Sequence, residues 1–547
     1  MIVKRPISKA FIILSLFAIL LLGFSTFGFS TIYYVNTAAD AGGDGTTQEL
    51  TGEHCAFKTI AQVNAASPAA GSSILFNKGN EWREKLTVPT SGSDGSPITF
   101  GAYGSGNDPI INGADLVTTW SDEGSNVWSA TLATGPNIVF FDGTKGTNDV
   151  TPDTDYDWYY DSNTLYIYST YDPDTAYTDP GIETAKRDGF RLDNKDYITI
   201  QNLHMTHADW YGIKLQNGAS NVIIDTCTID YCRVDGICCN DSDGPAIDSV
   251  TIQNCTVSYC DETGVSVGQY ATNWTIYNNN VQYCDESGVN SASGIGVWGN
   301  NATSGGHIIQ NNIVKNNWHG IHIDQVATSC TLRYNWVESN NNEGIFMEKV
   351  VGDEVYYNIS INNAANGIGL KGVAGDPCNE QKIYNNLCYG NGNYNICVGG
   401  NGANSVCNNI IKNNICDNAT YLELCARDGG ENDGTNGSGN VYEYNCFGTE
   451  YTDFIRWGAT DYSTYDTWET AYSGSTYSVE SDPLMTDPAN DNFKLNPHSP
   501  CVNAGTDVSL TEDYEGLKIR HAPDIGAYEN QTNALFFAWN LFKQWWY

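Results

Sequence analysis

Apolar and polar residues alternate in a short segment that recurs many times along the chain. Each copy begins with glycine, its second and fourth positions are apolar, and its third and fifth positions vary. This alternation is typical of a short β-strand with one buried face. Successive glycines lie 23 to 30 residues apart, a period that indicates a repeat architecture. The copies begin at Gly212, Gly236, Gly264, Gly294, Gly320, Gly344 and Gly367, with a weaker copy at Asn395.

A column of asparagines lies upstream of the glycine in most repeats. Asparagine tolerates the left-handed backbone region, and amides stacked coil on coil can hydrogen-bond along a ladder. Each repeat thus reads as a strand, an asparagine turn, a second strand, a glycine and a third strand. This order predicts an all-β protein built as a right-handed parallel β-helix, a single-stranded solenoid whose stacked coils make one core. Neither the consensus of a leucine-rich repeat nor the longer blades of a propeller occur. The asparagines are Asn254, Asn278, Asn279, Asn311, Asn312, Asn385, Asn386, Asn413 and Asn414.

The repeats do not cover the whole chain. A stretch rich in Tyr, Trp, Asp and Thr loses both the asparagine and the glycine columns and contains strand-like runs, which predicts an inserted antiparallel β-sandwich-like module. The last residues are aromatic and apolar but too few to span a membrane. We expect a signal peptide at 1–30, an N-terminal cap and first coils at 31–114, the inserted module at 115–190, the main β-helix at 191–425, C-terminal coils and cap at 426–530, and an aromatic tail at 531–547.

The first 30 residues have the layout of a secretory signal peptide. Lys4, Arg5 and Lys9 precede an apolar run that begins at Phe11, and small residues follow it. A membrane anchor is the alternative, but the Gly, Ser and Thr residues before Ile32 favour cleavage near residue 30. We therefore expect a secreted or cell-surface protein, extracellular or periplasmic, whose mature form is outside the membrane.

The charge balance limits the partners. The chain has 64 acidic and 26 basic residues and a net charge of −38. Such a field repels nucleic acid and anionic membranes, so we expect neither as a partner. It also disfavours a polyanionic glycan unless Ca²⁺ or a locally basic groove intervenes.

The cysteines follow the repeat. There are 17, an odd number, so they cannot all pair within the chain. Cys232, Cys260 and Cys284 occupy one repeat column, and Cys227 and Cys255 occupy another, which favours stacked thiols that fill the core. Coils about 4.8 Å apart would still permit some disulfides between stacked cysteines. The repeat explains these spacings without a metal, and we predict no metal site.

The third and fifth positions of each glycine strand point away from the core. Asp324, Glu348 and Lys371 hold the fifth position on three successive coils, and His322 holds a third position. Carboxylates beside flat aromatic rings suit a sugar, because rings stack on pyranose faces and paired carboxylates supply an acid and a nucleophile. We expect substrate contacts from Trp298, Trp318, His319, Phe346, Lys349 and Lys214.

Strand spacing predicts the separation of the two carboxylates. Side chains at one position on adjacent coils should lie about 5 Å apart, and a separation of about 5–5.5 Å is that of a retaining glycosidase. The alternative is an exposed ladder in which Glu348 only pairs with Lys371, an interaction that contributes little stability. The column therefore predicts a retaining pair or a surface ladder.

The segments from Gly320 to Asp324 and from Phe346 to Glu348 resemble the catalytic segments of glycoside hydrolase family 120, the β-xylosidases, among the pectin-lyase-like carbohydrate-active enzymes. The resemblance implies that Asp324 is the nucleophile and Glu348 the acid/base, and we expect His322 and Lys371 to assist them. It also implies a β-helix interrupted by a β-sandwich module. The flanking residues Gln325 and Lys349 depart from that family's pattern, which leaves the substrate open.

Two other functions remain open at this level. A polysaccharide lyase could use Lys349 or Lys371, which lie on adjacent coils, as the base against a uronate polymer, with Ca²⁺ as a possible cofactor. A non-catalytic surface protein that binds glycans is the third class. In each case the partner is a polysaccharide or oligosaccharide, and for the hydrolase we expect no cofactor.

Overall fold

The computed structural model describes residues 30–239, 244–285, 292–299, 303–402, 404–426 and 437–531. In these residues the chain winds through three long sheets, A, B and C, visited in turn once per coil. Within each sheet the strands of successive coils pair in parallel, apart from the last strand of sheet C. This is the right-handed parallel β-helix that the repeats predict.

The three sheets contain the following strands. Sheet A contains Ile32–Val35, Ser73–Asn77, Ile98–Tyr103, Ile198–Gln201, Val222–Asp225, Thr251–Gln253, Thr275–Tyr277, Ile308–Gln310, Thr331–Arg333, Glu354–Tyr356, Lys382–Tyr384, Ile410–Lys412 and Val441–Glu443. Sheet B contains Glu81–Trp82, Ile110–Asn112, His204–Thr206, Thr228–Asp230, Thr256–Ser258, Asn280–Gln282, Ile313–Lys315, Trp336–Glu338, Ile359–Ile361, Leu387–Tyr389 and Ile415–Asp417. Sheet C contains Leu86–Thr87, Phe190–Asp193, Ile213–Gln216, Ile237–Cys239, Val265–Val267, Ser293–Trp298, His319–Asp324, Ile345–Glu348, Ile368–Val373, Tyr394–Asn401, Leu422–Ala426, Ile455–Trp457 and Thr460–Tyr462.

The glycine strands of the repeat form the middle of sheet C. Their second residues pair from coil to coil and are completely buried, so they build one continuous apolar column inside the helix. Each such side chain contributes about 1.5–3 kcal/mol by leaving water. The column consists of Ile213, Ile237, Val265, Ile295, Ile321, Ile345 and Ile368.

The consecutive asparagines divide two tasks between them. The first of each pair, such as Asn278 or Asn311, has a φ of 56° or 57° and turns the chain between sheets A and B. The second is buried, and its amide donates to the amide oxygen of the next coil, as from Asn312 to Asn335 at 3.0 Å. Buried amides stay favourable only when they are paired. The full ladder comprises Asn279, Asn312, Asn335, Asn358, Asn386, Asn414 and Asn445.

A short helix and an inserted module flank the first coils. Helix Ile60–Ala65 is capped by Thr59 and buries Ile60 and Val63 at the open end of the core. The inserted module has two small, mostly antiparallel sheets with a shared apolar core. One contains Ala114–Val117, Val139–Phe141, Thr144–Lys145 and Ile182–Ala185, and the other contains Ser121–Gly124, Val127–Thr131, Thr147–Asn148, Asp157–Asp161 and Thr164–Tyr168; helix Pro173–Ala176 follows them.

The predicted end of the module at residue 190 is too late. Phe190 pairs with Leu86 and with Ile213 in sheet C, so the coil stack has already resumed there. Its side chain is completely buried against the helix core. The aromatic Phe190 hid the boundary in the sequence, because aromatic residues are frequent in the module.

The C-terminal part closes the stack. Helix Tyr465–Tyr472 packs Tyr465 and Trp468 against the core, a 3₁₀ turn follows at Pro488–Asn490, and strands Met485–Asp487 and Asn492–Leu495 form a hairpin. A further small pair joins Ile247–Asp248 to Ala271–Thr272. The signal-peptide prediction for 1–30 lies outside the described residues except for Ser30, and the tail does so except for Gln531. No helix in the described part of the chain has the length and hydropathy needed to cross a bilayer.

All 17 cysteines are buried, and none forms a disulfide bond. Burial raises the pKa of the stacked Cys284 and Cys227 thiols well above the usual value. The thiols therefore act as small core side chains, in agreement with their regular positions in the repeat.

Candidate functional site

Four neighbouring strands of sheet C present a regular array of outward side chains, which we call the site array. Its rows are the coils, and its three columns are the position before the glycine and the third and fifth positions of the glycine strand. The first column is Ser293, His319, Glu343 and Asn366; the second is Gly296, His322, Phe346 and Gly369; the third is Trp298, Asp324, Glu348 and Lys371.

The two predicted carboxylates lie next to each other in the third column. Asp324 pairs with Glu348 in register across adjacent parallel strands, which places their side chains about 5 Å apart. The ammonium of Lys349 contacts both, at 3.6 Å from Asp324 Oδ1 and 3.2 Å from Glu348 Oε1. A separation of about 5 Å is the one expected of a retaining pair, and an inverting pair needs more room.

Glu348 is surrounded by three nitrogen groups. Lys371 Nζ lies 3.0 Å from Glu348 Oε1, and His322 Nε2 lies 3.6 Å from Oε2. The second distance is longer than that of an ordinary hydrogen bond. His322 therefore lies against Glu348 in a loose contact.

The electrostatic environment shifts the pKa values of the two carboxyl groups in opposite directions. His322, followed by Lys371 and Lys349, holds the pKa of Glu348 well below its usual range despite the opposing effect of burial. Burial, reinforced by the charge of Glu348 and opposed by Lys349, raises the pKa of Asp324 to about 6. Near neutral pH, Glu348 is thus the ionised member and Asp324 the member that retains a proton more readily. This is the reverse of the roles that the family resemblance implies.

His322 itself stays neutral over the same range. Its side chain is nearly inaccessible, and burial lowers its pKa although Glu348 opposes that shift. A neutral imidazole can still place an Nε2–H toward Glu348. His322 is therefore suited to orient and stabilise the carboxylate rather than to carry charge.

A second histidine and a carboxylate that the sequence reasoning missed lie beside the pair. His319 Nδ1 is 3.0 Å from Glu343 Oε2, and Asn366 Nδ2 approaches Glu343 Oε1 at 3.4 Å. Glu343 precedes the glycine of its repeat, a position not considered as outward in the sequence. Comparing that position across coils, where Ser293, His319, Glu343 and Asn366 are all polar, would have revealed the column.

Aromatic rings form the surface between the two acidic columns. The Phe346 ring stacks on His319 at a centroid distance of 5.3 Å and lies 4.7 Å from the His322 ring. Trp298 folds back over Gly296, where a Cβ would come within 1.9 Å of the indole. Glycine at this position therefore makes room for the indole to lie flat on the strand.

Trp318 and Lys214 differ in their relation to this surface. Trp318 stands edge-on to His319 at 6.4 Å, at the border of the array. Lys214 lies on a strand four coils away toward the N-terminus, its side chain buried, with Nζ 4.3 Å from the Tyr211 ring centroid and 3.8 Å from Cys238 Sγ. The structure therefore brings Trp298, Trp318, His319, Phe346 and Lys349 together with the carboxylate pair but leaves Lys214 apart.

Two family models match parts of the chain. One is described as a right handed beta helix region and matches residues 188–349. The other is described as a periplasmic copper-binding protein, NosD, and matches residues 281–422. The side chains do not fit a copper site, because the described residues contain no group of three or more His, Cys, Asp or Glu placed to hold a metal ion.

Solved structures resemble the chain along nearly its whole length. A complex of XylC with xylose superimposes with a TM-score of 0.64 at 15% identity, covering 91% of this chain and 98% of that one. The pectate lyase Pel9A gives a TM-score of 0.44 at 15% identity, covering 93% and 98%. No curated protein sequence matches the chain. At these identities the similarity establishes the fold, and the chain shares the right-handed parallel β-helix of XylC.

Proposed function

We propose that this protein is a retaining glycoside hydrolase that acts on a neutral oligosaccharide or polysaccharide. The observation that carries the proposal is the in-register pair of Asp324 and Glu348, bridged by Lys349 beside an aromatic surface. The resemblance to family 120 β-xylosidases and the fold shared with XylC, which was solved with xylose, support a sugar as the substrate.

The reaction follows from the different states of the two acids. Asp324, with its raised pKa, donates a proton to the glycosidic oxygen as that bond breaks. Glu348, held ionised, attacks the anomeric carbon and forms a glycosyl ester. Asp324 then takes a proton from water, which hydrolyses the ester with net retention.

The surrounding groups position the sugar in this scheme. Phe346 lies between the columns, stacked on His319 and only 8% exposed, so it can contact the pyranose only with a small part of its ring. Glu343, whose carboxylate His319 and Asn366 hold in place, is suited to accept hydrogen bonds from sugar hydroxyls on the far side of Phe346 from the pair. Lys371 and His322 keep Glu348 charged and fixed.

A lyase is the less favoured alternative. Burial disfavours the ammonium of Lys349, but Asp324 and Glu348 outweigh that effect and raise its pKa. A lysine held as an ammonium is a poor base for removing a carbon-bound proton. The three carboxylates of the site array also disfavour a uronate, unless Ca²⁺ screens them. Both features support hydrolysis over β-elimination.

The decisive experiment follows product stereochemistry. The protein is incubated with aryl β-glycosides and with β-linked oligosaccharides, and the first anomer released is read by proton NMR while ultraviolet absorbance reports any unsaturated uronate from acidic polymers. Retention supports the proposal, inversion contradicts the pair geometry, and an absorbance rise indicates the lyase. Binding without turnover of any sugar would indicate the glycan-binding class.

A matched variant separates catalysis from a surface ladder. Glu348→Gln should reduce turnover by about three orders of magnitude or more. Glu354→Gln is the control, because Glu354 pairs with Lys382 at 2.7 Å on the corresponding two coils of sheet A, well away from the site array. Equal activity of the two variants would mean that the Glu348–Lys371 pair is only a ladder.

We also propose that the protein acts outside the cytoplasm. The apolar run after Lys9 and the match to a family described as periplasmic support this location. N-terminal sequencing of the mature protein should begin near residue 30, and recovery of intact Met1 from the cytoplasm would contradict it.

A further inference from the structure

Beyond the site array, sheet C carries an aromatic platform that neither the repeat pattern nor the carboxylate pair requires. Tyr394 and Tyr421 lie on the two coils that follow Asn366, with ring centroids 5.8 Å apart. Arg456 comes from the next coil and donates to the Tyr421 hydroxyl at 3.0 Å and toward the Tyr394 hydroxyl at 3.4 Å. Three side chains from three coils therefore converge on one patch, which we call the tyrosine platform.

Tyr394 continues the first column of the site array, whereas Tyr421 lies one residue before Leu422, which pairs with Tyr394. Gly344 and Gly367 donate their backbone N–H groups to the carbonyls of Asn366 and Tyr394, so these two residues hold equivalent positions on successive coils. Tyr394 is therefore two coils from Glu343, or about 10 Å along the axis, and Tyr421 is one coil farther. Each coil rises by roughly the length of one pyranose unit in an extended chain.

Small side chains line the second column between the site array and the tyrosine platform. Phe346 is followed in the second column by Gly369 and then by Cys397, which is buried. A Cβ at Gly369 would meet its nearest atoms at 3.4 Å or more, which is ordinary contact. A sugar chain that leaves the carboxylate pair and follows the second column thus passes over small side chains before it reaches Tyr394, with the exposed Lys371 beside it in the third column.

The charge of the platform suits hydroxyl groups rather than carboxylates. Asp461 accepts two hydrogen bonds from Arg456, at 2.6 Å and 2.8 Å, and neutralises the guanidinium. Tyr421 is 45% exposed, and the Arg456 guanidinium lies 5.6 Å from its ring centroid. An exposed tyrosine ring beside a guanidinium whose charge is neutralised is suited to stacking of a neutral sugar.

We propose that the tyrosine platform is a distal subsite that binds a sugar unit two to three residues away from the cleaved bond. This inference rests on the proposed function for the position of the cleaved bond. It makes the substrate a linear neutral chain of at least three units aligned with the helix axis, and it gives oligosaccharides an advantage over monoglycosides.

Direct binding tests the subsite separately from turnover. Glu348→Gln serves as the background so that ligands stay intact, and calorimetry compares the monosaccharides and β-linked trisaccharides of xylose, glucose, mannose and galactose. At least one trisaccharide should bind more tightly than its monosaccharide, and Tyr421→Ala should weaken that trisaccharide by about tenfold while the monosaccharide is unchanged. Tyr477→Ala is the matched control, because Tyr477 is also an exposed ring stacked on another tyrosine, Tyr444, outside sheet C.

The outcomes distinguish the two proposals. If no trisaccharide binds more tightly than its monosaccharide, the subsite is overturned even when the wild-type protein hydrolyses glycosides. The same holds if Tyr421→Ala and Tyr477→Ala change the affinity for the trisaccharide equally. If Tyr421→Ala selectively weakens a trisaccharide but the wild-type protein turns nothing over, the subsite stands and the hydrolase proposal fails. Tyr421→Phe should retain most of the affinity, because it keeps the ring and removes only the hydroxyl.

Discussion

The pH dependence of turnover is the most direct test of how the two carboxyl groups divide their roles. If Asp324 is the acid, kcat/KM should be flat at low pH and fall tenfold per pH unit above about 6, where Asp324 loses its proton. If Asp324 is instead the nucleophile, as the family resemblance implies, activity should rise through the same pH. The sign of the slope near pH 6 therefore assigns the roles.

Lys349→Met sharpens this test. Lys349 lies 3.6 Å from Asp324 and lowers its pKa. An opposite charge at this distance typically lowers a carboxyl pKa by about 1–3 units, and partial screening by solvent favours the lower end. Removing the ammonium should therefore move the falling limb to higher pH by about one unit.

Lys371→Met is the matched control. Lys371 contacts Glu348 at 3.0 Å but forms no ion pair with Asp324 within the described residues, and its side chain is 52% exposed. Lys371→Met should change the rate without shifting the pH near 6 at which kcat/KM begins to fall. The assay measures initial rates on one aryl glycoside between pH 4 and 9. Circular dichroism at each pH checks that the protein stays folded over this range. A limb that stays fixed in Lys349→Met, or moves equally in both variants, would refute the assignment of that pKa to Asp324.

Three further changes test the packing around this site and the core. Asn358→Ala should lower the free energy of unfolding by about 3 kcal/mol, because it removes a buried donor to Asn386 and leaves ladder groups on both neighbouring coils unsatisfied; denaturant unfolding with a loss below about 1 kcal/mol would contradict the ladder's role. Asp353 is fully buried and its pKa is raised to about 7, so the folded state binds a proton that the unfolded state releases, and wild-type stability should fall as pH rises from about 4 to 7. Asp353→Asn should reduce that slope in melting temperature, while other buried carboxyl groups with a raised pKa, such as Glu423, keep part of it; an unchanged slope would mean that Asp353 does not contribute. Gly296→Ala should displace the Trp298 indole, raise KM severalfold and leave the melting temperature nearly unchanged; unaltered KM would mean that the indole does not contact substrate.

The repeat pattern determined the main features of the fold. The alternation placed Ile321 and Ile345 on the face that lines the core. It placed Asp324 and Glu348 on the opposite face, where the fold also buries residues such as His322. The parallel register followed from the recurrence of the same strand pattern in every copy. The turn asparagines were also readable, because asparagine is enriched in the left-handed region. The same corner holds Tyr334 and Tyr357 at φ of 57° and 52° on later coils, which the asparagine pattern did not predict.

The environment of the candidate site was not readable in this way. Glu343 precedes its glycine, where the chain is leaving a turn, and only the path of the folded backbone directs its side chain to His319. Lys214 obeys the same outward pattern as Glu348, yet the structure buries it against Tyr211, four coils from the pair. Periodicity fixes which side of a strand a residue occupies, but neighbouring loops and coils decide what that side faces.

The sequence by itself determined the β-helix, its internal columns and the alignment of Asp324, Glu348 and Lys371, because these depend on a period that every coil repeats. Only the tertiary structure decided which carboxyl group is charged, since that depends on three nitrogen groups from different coils and on burial. The tyrosine platform is likewise a product of three coils, with Arg456 reaching back over residues that are distant in the chain. Electrostatics and shape at a site depend on distances between separate segments, and a linear pattern of apolar and polar residues does not encode those distances.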